Sequence, residues 1–203
     1  MRLRIVSLEQ MISKPLTYCI QSASHTLLSS PSSKVMLKRL KPQTEKIIAE
    51  EQADFRACRN TTEQILKLCI LCEKYLQHQQ DLYHVFRDFK KAVDRICHAA
   101  LWATMKKYNI STNLIQVIKN LFNKATSAVL FNSSIGDWFR ITVGVRRGCL
   151  LSPTLFNIFL ERTMTDALED YEGRTIINLR FADDIGGSAG EEEELANLAE
   201  PLD

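Results

Sequence analysis

The sequence has few of the features that mark fibrous, secreted or membrane-spanning proteins. It contains only 7 glycines and 5 prolines in 203 residues, which excludes collagen and low-complexity linkers, and 45% of its residues are hydrophobic, which is enough for a buried core. It lacks any run of about 18 apolar residues, so we expect no transmembrane helix and no membrane partner. Because the opening residues, MRLRIVSLEQ, have no apolar stretch typical of a signal peptide, we expect an intracellular protein, cytoplasmic or nuclear.

Cysteine is also scarce, since six cysteines are too few for a disulfide scaffold in a chain of this length. Cys69 and Cys72 form a CxxC pair, which indicates a zinc or redox site when further ligands accompany it. No second CxxC or histidine pair lies nearby, and Ile65 and Leu76 continue the same face of a predicted helix. We therefore expect two reduced thiols packed in an apolar helix face, with metal binding as the weaker alternative.

Charge is divided unevenly along the chain, although the formal net charge is only +2. Residues 1–47 carry eight lysines and arginines against two glutamates, a balance of +6. Residues 161–203 carry three arginines against thirteen carboxylates, a balance of −10. A basic front and an acidic end are typical of a nucleic-acid-binding protein that also holds divalent cations, but charge blocks are more often simply solvated surface.

The pattern of apolar residues predicts an α+β fold with a mainly antiparallel sheet. Residues 1–33 are rich in serine and poorly periodic, which predicts an irregular N-terminal arm. Residues 34–80 read as a helical region: basic helical pieces are broken near Pro42, and a long helix begins at Thr61, with Thr61 and Gln64 spaced as a capping box. Residues 81–203 hold the predicted sheet.

The predicted sheet begins with DLYHVFRDF, whose aromatic and branched residues favour a strand ending at Asp88. Two helices, a hairpin marked by SSIGD and a long amphipathic helix follow along the chain. The last strand, TIINLRFA, leads directly into two aspartates, and a short acidic helix, EEEELANLAE, is predicted after them.

Asp183 and Asp184 are the strongest chemical signal in the sequence. They follow an apolar strand and precede the small residues IGGSAG, so we expect them at the exposed tip of a hairpin. Paired carboxylates repel each other unless a cation lies between them. If the strand ending at Asp88 lies beside this hairpin, three carboxylates meet at one rim and could hold two Mg²⁺ ions about 3.5–4 Å apart. An isolated pair of aspartates is more often an ordinary acidic turn.

Four segments in a fixed order resemble the motifs of reverse transcriptases, and most closely those of LINE-type, non-LTR retrotransposons. FRDFKKAVD (86–94), GVRRGCLLSPTLFNIF (144–159) and RFADD (180–184) resemble motifs A, B and C, and EEQADFRACRNTTEQI (50–65) resembles the fingers motif. The resemblance implies a fold with fingers-like residues 34–80 and palm-like residues 81–203. It implies an antiparallel palm sheet flanked by helices and an absent thumb.

The resemblance also implies an activity and a set of site residues. The implied enzyme is an RNA-directed DNA polymerase that extends a DNA primer on an RNA template with deoxynucleoside triphosphates and two Mg²⁺ ions, or Mn²⁺ in their place. Asp88, Asp183 and Asp184 are the implied catalytic and metal-binding carboxylates, and the backbone of Phe89 would line the metal site. The resemblance further implies two sets of binding residues. Nucleotide binding is implied for Arg56, Arg59, Val93 and Arg147, and template or primer contact is implied for Gly148, Ser152, Pro153 and Phe181.

Several positions depart from the family's pattern and leave alternatives open. Val93 replaces an aromatic residue that excludes ribose, Arg147 replaces a glutamine, and Asp54 replaces a glycine. One alternative is a catalytically inactive reverse transcriptase-fold remnant that retains nucleic-acid binding through its basic front. Another is a non-functional translation product that folds partially or not at all.

Overall fold

The computed structural model describes residues 4–7, 18–22, 31–89, 91–123, 126–131, 134–146, 148–169 and 177–190. In chain order the elements are strand β1 (Arg4–Ser7), β2 (Tyr18–Ser22), helix α1 (Pro31–Thr44), α2 (Thr61–Gln77), β3 (Tyr83–Asp88), α3 (Ala92–Arg95), α4 (His98–Lys107), α5 (Thr112–Asn123), β4 (Thr126–Phe131), β5 (Ser134–Ile135), β6 (Phe139–Arg140), α6 (Ser152–Glu169), β7 (Ile177–Phe181) and β8 (Asp184–Ala189). Helices and mainly antiparallel sheets alternate along the chain, so the α+β prediction is confirmed.

The chain divides into two compact units that do not follow its linear order. The first unit comes from segments 1–10, 48–90 and 160–203, and the second from segments 11–47 and 91–159. Helix α6 contributes its first turns to the second unit and its last turns to the first. The division into 1–33, 34–80 and 81–203 stays a prediction.

The first unit contains a four-stranded sheet in the order β1-β3-β8-β7. β1 runs parallel to β3, whereas β8 is antiparallel to both β3 and β7. Buried Ile185 and Ala189 of β8, Leu82 before β3, and Met164 of α6 belong to the apolar core of this unit. The sheet therefore supports the β7–β8 hairpin from one side through β3.

The second unit contains the other sheet, in which β4 pairs with β2, β5 and β6, all antiparallel. Its core is built from amphipathic helices whose apolar residues recur at helical spacing. In α5, for example, Ile115, Ile118 and Phe122 are buried, and Phe122 makes edge-to-face contacts with Trp102 and His98 of α4. None of the helices in the described ranges is both long and apolar enough to cross a bilayer.

The N-terminal arm differs from the sequence-based expectation of irregular structure over residues 1–33. Arg4–Ser7 and Tyr18–Ser22 are strands, paired with β3 and β4, and α1 already begins at Pro31. The local sequence signal for these strands is weak, and their backbone groups are satisfied by partners about 80 and 110 residues away in the chain. Strands that are stabilised by such distant partners are hard to predict from the spacing of apolar residues within the strand itself.

Helix boundaries also differ from prediction in three places. Helix α1 continues through Pro42 to Thr44, because a proline in the last turn removes only one late hydrogen bond. The cap of α2 is Asn60, whose side chain accepts a hydrogen bond from the Glu63 N–H, so the capping box expected at Thr61 and Gln64 is wrong by one residue. The helix expected after Asp88 is split into α3 and α4, and the acidic helix expected at EEEELANLAE lies outside the described residues.

The apolar face of α2 is exposed among the described residues, which contradicts its expected burial. Ile65 and Leu76 are 62% and 56% exposed, Cys69 is exposed and Cys72 is half-buried. The helix instead buries Gln64 and Leu71, and the Gln64 amide donates to the Glu51 carbonyl at 3.0 Å. That polar contact orients the helix so that its broader apolar stripe faces away from the described core.

Candidate active site

The three predicted aspartates lie together at one end of the sheet in the first unit. Asp88 ends β3 and is paired in register with Asp184, the first residue of β8. Asp184 is also paired with Phe181, the last residue of β7. Directly opposed residues on neighbouring strands project from the same face of a sheet, so Asp88, Asp184 and Phe181 form one row across three strands. Asp183 lies in the turn next to them, and we call Asp88, Asp183 and Asp184 the carboxylate rim.

The turn that carries Asp183 has an unusual backbone. Only Ala182 and Asp183 connect β7 to β8, and Ala182 has a φ of 55°. A residue with a Cβ rarely adopts this left-handed conformation, and such strain persists where surrounding contacts hold it. The tight hairpin predicted from the sequence is therefore present, with one strained residue next to the first aspartate.

Electrostatic repulsion is evident within the carboxylate rim. The pKa of Asp184 is raised by burial and then by the negative charges of Asp183 and Asp88. The pKa of Asp54 is also raised, mainly by burial and partly by the charge of Asp183, against a lowering hydrogen bond from the Phe55 backbone. Asp54 therefore adds a fourth carboxylate near the rim, at the position where the related motif has glycine.

The carboxylate rim offers oxygen ligands suited to a divalent metal ion. No three His, Cys, Asp or Glu side chains within the described ranges are gathered closely enough to hold an ion by themselves. Mg²⁺, however, usually takes only one or two protein carboxylates and completes its shell with water and substrate phosphates. The raised pKa of Asp184 shows a repulsion that a cation would relieve. The carboxylate oxygens therefore fit a hard cation whose remaining ligands are water and substrate oxygens.

The two predicted arginines belong to the first unit and have intrachain partners. The buried Arg56 guanidinium donates to the carbonyls of Ala49 and Gln52, at 2.7 and 3.2 Å. Arg59 is ion-paired with Glu50, and its second nitrogen lies 3.9 Å from Glu63. Arg56 thus holds its own loop together, and triphosphate binding by either arginine stays a prediction.

Phe89 follows Asp88 directly and is half-buried. The Arg87 guanidinium lies 5.9 Å from the centre of its ring, within reach of a cation–π interaction. Arg87 itself is paired in register with buried Ile185, so this charge lies on the opposite face of the sheet from Asp88. The structure therefore accommodates a charge where the strand pattern favours an apolar side chain.

The motif B residues belong to the second unit. Gly144 lies against the backbone of Asp94, and its carbonyl accepts a hydrogen bond from His98. The Val145 N–H donates to the carbonyl of half-buried Val93 at 2.9 Å, which fixes this segment to α3.

The start of α6 carries the other motif B positions. Gly148 has a φ of +76° and open space where a Cβ would lie. Ser152 is buried at the start of α6, its hydroxyl has no partner among the described residues, and Pro153 follows in the first turn. Arg147 lies outside the described residues, and nucleic-acid contact by the others stays a prediction.

Sequence reasoning missed five residues around the hairpin. Gln52 donates from its buried side-chain amide to the Ala182 carbonyl at 3.4 Å. Arg180 and Glu161 form a buried ion pair at 3.1 Å, and His84 of β3 shares a hydrogen bond with Ser188 of β8. A charge inside the apolar strand TIINLRFA was the available signal, because arginine is seldom fully buried without a partner.

Comparison with known proteins identifies similar sequences. The family described as "Reverse transcriptase (RNA-dependent DNA polymerase)" matches residues 23–202. The chain is 29% identical over 104 residues to the Pol polyprotein of the type-1 retrotransposable element R2 of Popillia japonica, covering 48% of this chain and 17% of that one. It is 26% identical over 163 residues to the RNA-directed DNA polymerase of the mobile element jockey of Drosophila funebris, covering 76% and 18%. The chain thus spans less than a fifth of these relatives.

Solved structures share the fold. Apo telomerase from Candida tropicalis, truncated from its C-terminal domain, superposes with a TM-score of 0.60 at 19% identity, covering 88% of this chain and 37% of that one. Telomerase from the same yeast in complex with the TWJ fragment of telomeric RNA superposes with a TM-score of 0.64 at 17% identity, covering 84% and 30%. The expected reverse transcriptase-like α+β fold and the resemblance to non-LTR retrotransposon polymerases are confirmed. The chain belongs to the reverse transcriptase family.

Proposed function

We propose that this chain is the fingers and palm portion of an RNA-directed DNA polymerase that extends a DNA primer on an RNA template. The observation that carries the proposal is the row formed by Asp88, Asp184 and Phe181 across three strands, with Asp183 in the adjoining turn. The family's reaction is a phosphoryl transfer, and catalysis of such transfers depends on positioning and charge stabilisation more than on covalent chemistry. A rim of carboxylates at the end of a sheet would supply the positioning, and the cations held there would supply the charge stabilisation.

Asp88, Asp183 and Asp184 would hold two Mg²⁺ ions, with Mn²⁺ as a substitute. When bound, the ions would supply a lowered pKa at the attacking 3′-hydroxyl and charge neutralisation at the leaving pyrophosphate. The chain's own contribution is geometric: the register of β3 with β8 fixes the spacing of Asp88 and Asp184. The half-buried Phe181 closes one side of the row, and the Phe89 backbone would line the other.

The incoming deoxynucleoside triphosphate would be bound by cationic and apolar residues on both sides of the motif A segment. Arg59 would exchange Glu50 for a phosphate, since their ion pair is exposed on the Glu50 side and therefore weak. Arg56 would act mainly by shaping the loop. Val93 and Arg147 would contact the sugar and triphosphate, and Gly148, Ser152 and Pro153 would contact the template or primer.

Primer extension tests this function directly. The 203-residue chain is incubated with a DNA primer annealed to an RNA template, deoxynucleoside triphosphates and Mg²⁺, and compared with Asp183→Ala and with Asp137→Asn, a control at an exposed position outside the rim. We expect extension by the wild-type chain and the control, and none with Asp183→Ala or with EDTA. Wild-type extension no greater than that of Asp183→Ala would reject catalysis by this chain.

A second function, nucleic-acid binding without catalysis, is favoured by the surface of α1. Its buried stripe is formed by Ser33, Met36, Leu40 and Thr44, which leaves Lys38, Arg39 and Lys41 exposed on the opposite side. Exposed cations at one helix face bind a phosphate backbone irrespective of sequence.

Salt dependence distinguishes this function from catalysis. Replacing Lys38, Arg39 and Lys41 by glutamine should reduce the slope of log K against log salt for single-stranded RNA by about 2. Asp183→Ala should leave that slope unchanged. RNA binding of equal strength in low and high salt would contradict the idea.

A further inference from the structure

The Ala182–Asp183 turn is held by contacts that come from outside its own hairpin. The Arg180 backbone N–H donates to the Glu51 carbonyl at 3.1 Å, and the Arg180 carbonyl accepts from the Ala53 N–H at 3.0 Å. Residues 49–54, which we call the flanking segment, therefore run alongside β7 as a short parallel bridge centred on Gln52. The side chain of Gln52 then reaches the Ala182 carbonyl within the turn.

A buried ion pair anchors this flanking segment. A single carboxylate oxygen of Glu161 in α6, Oε2, accepts two hydrogen bonds. One comes from the Arg180 guanidinium at 3.1 Å and the other from the Ala49 N–H at 3.0 Å. Arg180 also donates from Nε to the Asn178 side chain at 2.8 Å. The side chains of Arg180 and Glu161 are only 4% and 10% exposed. One carboxylate oxygen thus connects α6, β7 and the start of the flanking segment.

The energetics of this pair favour a positional role over simple stabilisation. Removing two charges from water offsets most of their attraction, so a well-packed apolar pair of similar volume is commonly as stable. The strained Ala182 backbone, in contrast, needs surrounding contacts that hold it in one conformation. The ion pair and the flanking segment supply such contacts immediately beside Asp183.

We propose that Glu161 and Arg180 are positioning residues for Asp183, because their ion pair fixes the flanking segment against β7 and that segment holds the Ala182–Asp183 turn. The inference rests on the proposed polymerase function, since it assigns Asp183 to metal binding. It extends the site to α6, on the face of the sheet opposite the carboxylate row.

The test replaces the pair with apolar residues and measures metal binding separately from activity. The variant Glu161→Leu/Arg180→Met removes the ion pair, and Arg162→Met/Asp166→Leu removes the neighbouring pair on α6, whose partners lie within the helix. Binding of Mn²⁺ is followed by electron paramagnetic resonance, and single-nucleotide incorporation gives kcat and KM. Thermal unfolding of each variant verifies that it folds.

We expect the Glu161→Leu/Arg180→Met variant to unfold cooperatively, to bind Mn²⁺ about tenfold more weakly and to lose about tenfold in kcat, as is typical when residues that orient metal ligands are changed. KM for the nucleotide should change little, and the Arg162→Met/Asp166→Leu control should match the wild type in every measurement. Wild-type Mn²⁺ affinity in the Glu161→Leu/Arg180→Met variant would overturn the inference.

A further variant keeps the inference testable if the double substitution prevents folding. Gln52→Met keeps the ion pair and removes the side-chain amide, which reaches Ala182 and accepts from the Asp54 N–H at 3.2 Å. It should therefore weaken Mn²⁺ binding severalfold, and unchanged affinity would overturn the inference. A wild-type chain that binds Mn²⁺ through Asp183 but incorporates no nucleotide would reject the polymerase function alone. A chain that binds no Mn²⁺ would reject the positioning role.

Discussion

His84 is a buried histidine within the sheet that carries the carboxylate rim. It is paired in register with Ser188, shares a hydrogen bond with the Ser188 hydroxyl, and makes an edge-to-face contact with Phe86 at 4.3 Å between ring centres. Its Nε2 atom has no hydrogen-bond partner among the described residues, and it is the atom that would crowd a Cβ at Gly186. Burial lowers the pKa of His84, so the ring is harder to protonate in the folded protein than in the unfolded chain.

The lowered pKa of His84 predicts acid sensitivity. Above the unfolded pKa of about 6.5, His84 is neutral in both the folded and the unfolded state. Because the pKa is lower in the folded state, the unfolded state binds the proton first as the pH falls below that value. Stability should therefore fall as the pH decreases below that value, by at most about 1.4 kcal/mol per pH unit. In His84→Asn this contribution should disappear, as measured by urea unfolding between pH 7.5 and 5. An identical pH slope in the variant would contradict the assignment.

Gly144 and Gly148 give a matched pair for a second prediction at the residue scale. Both have a positive φ, but a Cβ at Gly144 would lie 2.7 Å from the Asp94 carbonyl oxygen, whereas a Cβ at Gly148 would meet nothing within 4 Å. We expect Gly148→Ala to cost about 1 kcal/mol from backbone strain alone. Gly144→Ala should cost about 2–4 kcal/mol because the strain is joined by a backbone clash. Equal losses of unfolding free energy in the two variants would show that the close approach at Gly144 is absent.

At the scale of elements, helix α2 shows how a polar contact can override an apolar pattern. Its exposed apolar residues outnumber its buried ones, since Ile65, Leu66 and Ile70 are each more than half exposed, while Leu71 is 8% exposed. On the buried side, the Gln64 amide donates to the Glu51 carbonyl. Periodicity alone therefore indicated the helix correctly and its orientation wrongly.

This orientation of α2 predicts unequal effects of neighbouring substitutions. Leu71→Ala should lower the free energy of unfolding by about 2–4 kcal/mol, because it removes a buried side chain and leaves a cavity. Ile70→Ala, which removes an exposed side chain from the next position, should change it by less than about 0.5 kcal/mol. Chemical denaturation of both variants measures the difference. A larger loss in Ile70→Ala would place the apolar stripe of α2 in the interior.

At the scale of the whole molecule, local sequence patterns predicted individual strands and turns better than they predicted which distant segments pair with one another. The strand ending at Asp88 and the tight turn at Asp183 are encoded by contiguous residues, and both are present. The neighbours of β1 and β2 and the pairing of Glu161 with Arg180 depend on residues far apart in sequence, which no single segment encodes. That these particular aspartates act together stays a prediction from the resemblance to reverse transcriptase motifs A and C.

The carboxylate rim and the expected nucleic-acid contacts differ in how far the fold alone determines them. Asp88, Asp183 and Asp184 are gathered by one sheet, so their proximity follows from strand pairing. Gly148 and Ser152 belong to the second compact unit, and contact of these residues with nucleic acid stays a prediction. The sequence therefore predicts the positions of the rim carboxylates more fully than it predicts the residues that contact nucleic acid.

The most direct test of the central claim is the single-turnover rate of nucleotide incorporation on an RNA template by Asp88→Ala, compared with wild type and Asp137→Ala. Asp88 is distant in sequence from Asp183 and Asp184, so only the paired strands make it part of one site. Loss of a metal ligand worth several kcal/mol should slow incorporation by at least about a hundredfold, with Asp137→Ala unchanged. A rate in Asp88→Ala within about twofold of the wild type would contradict the assignment of the carboxylate rim as the catalytic centre, because twofold is less than 0.5 kcal/mol.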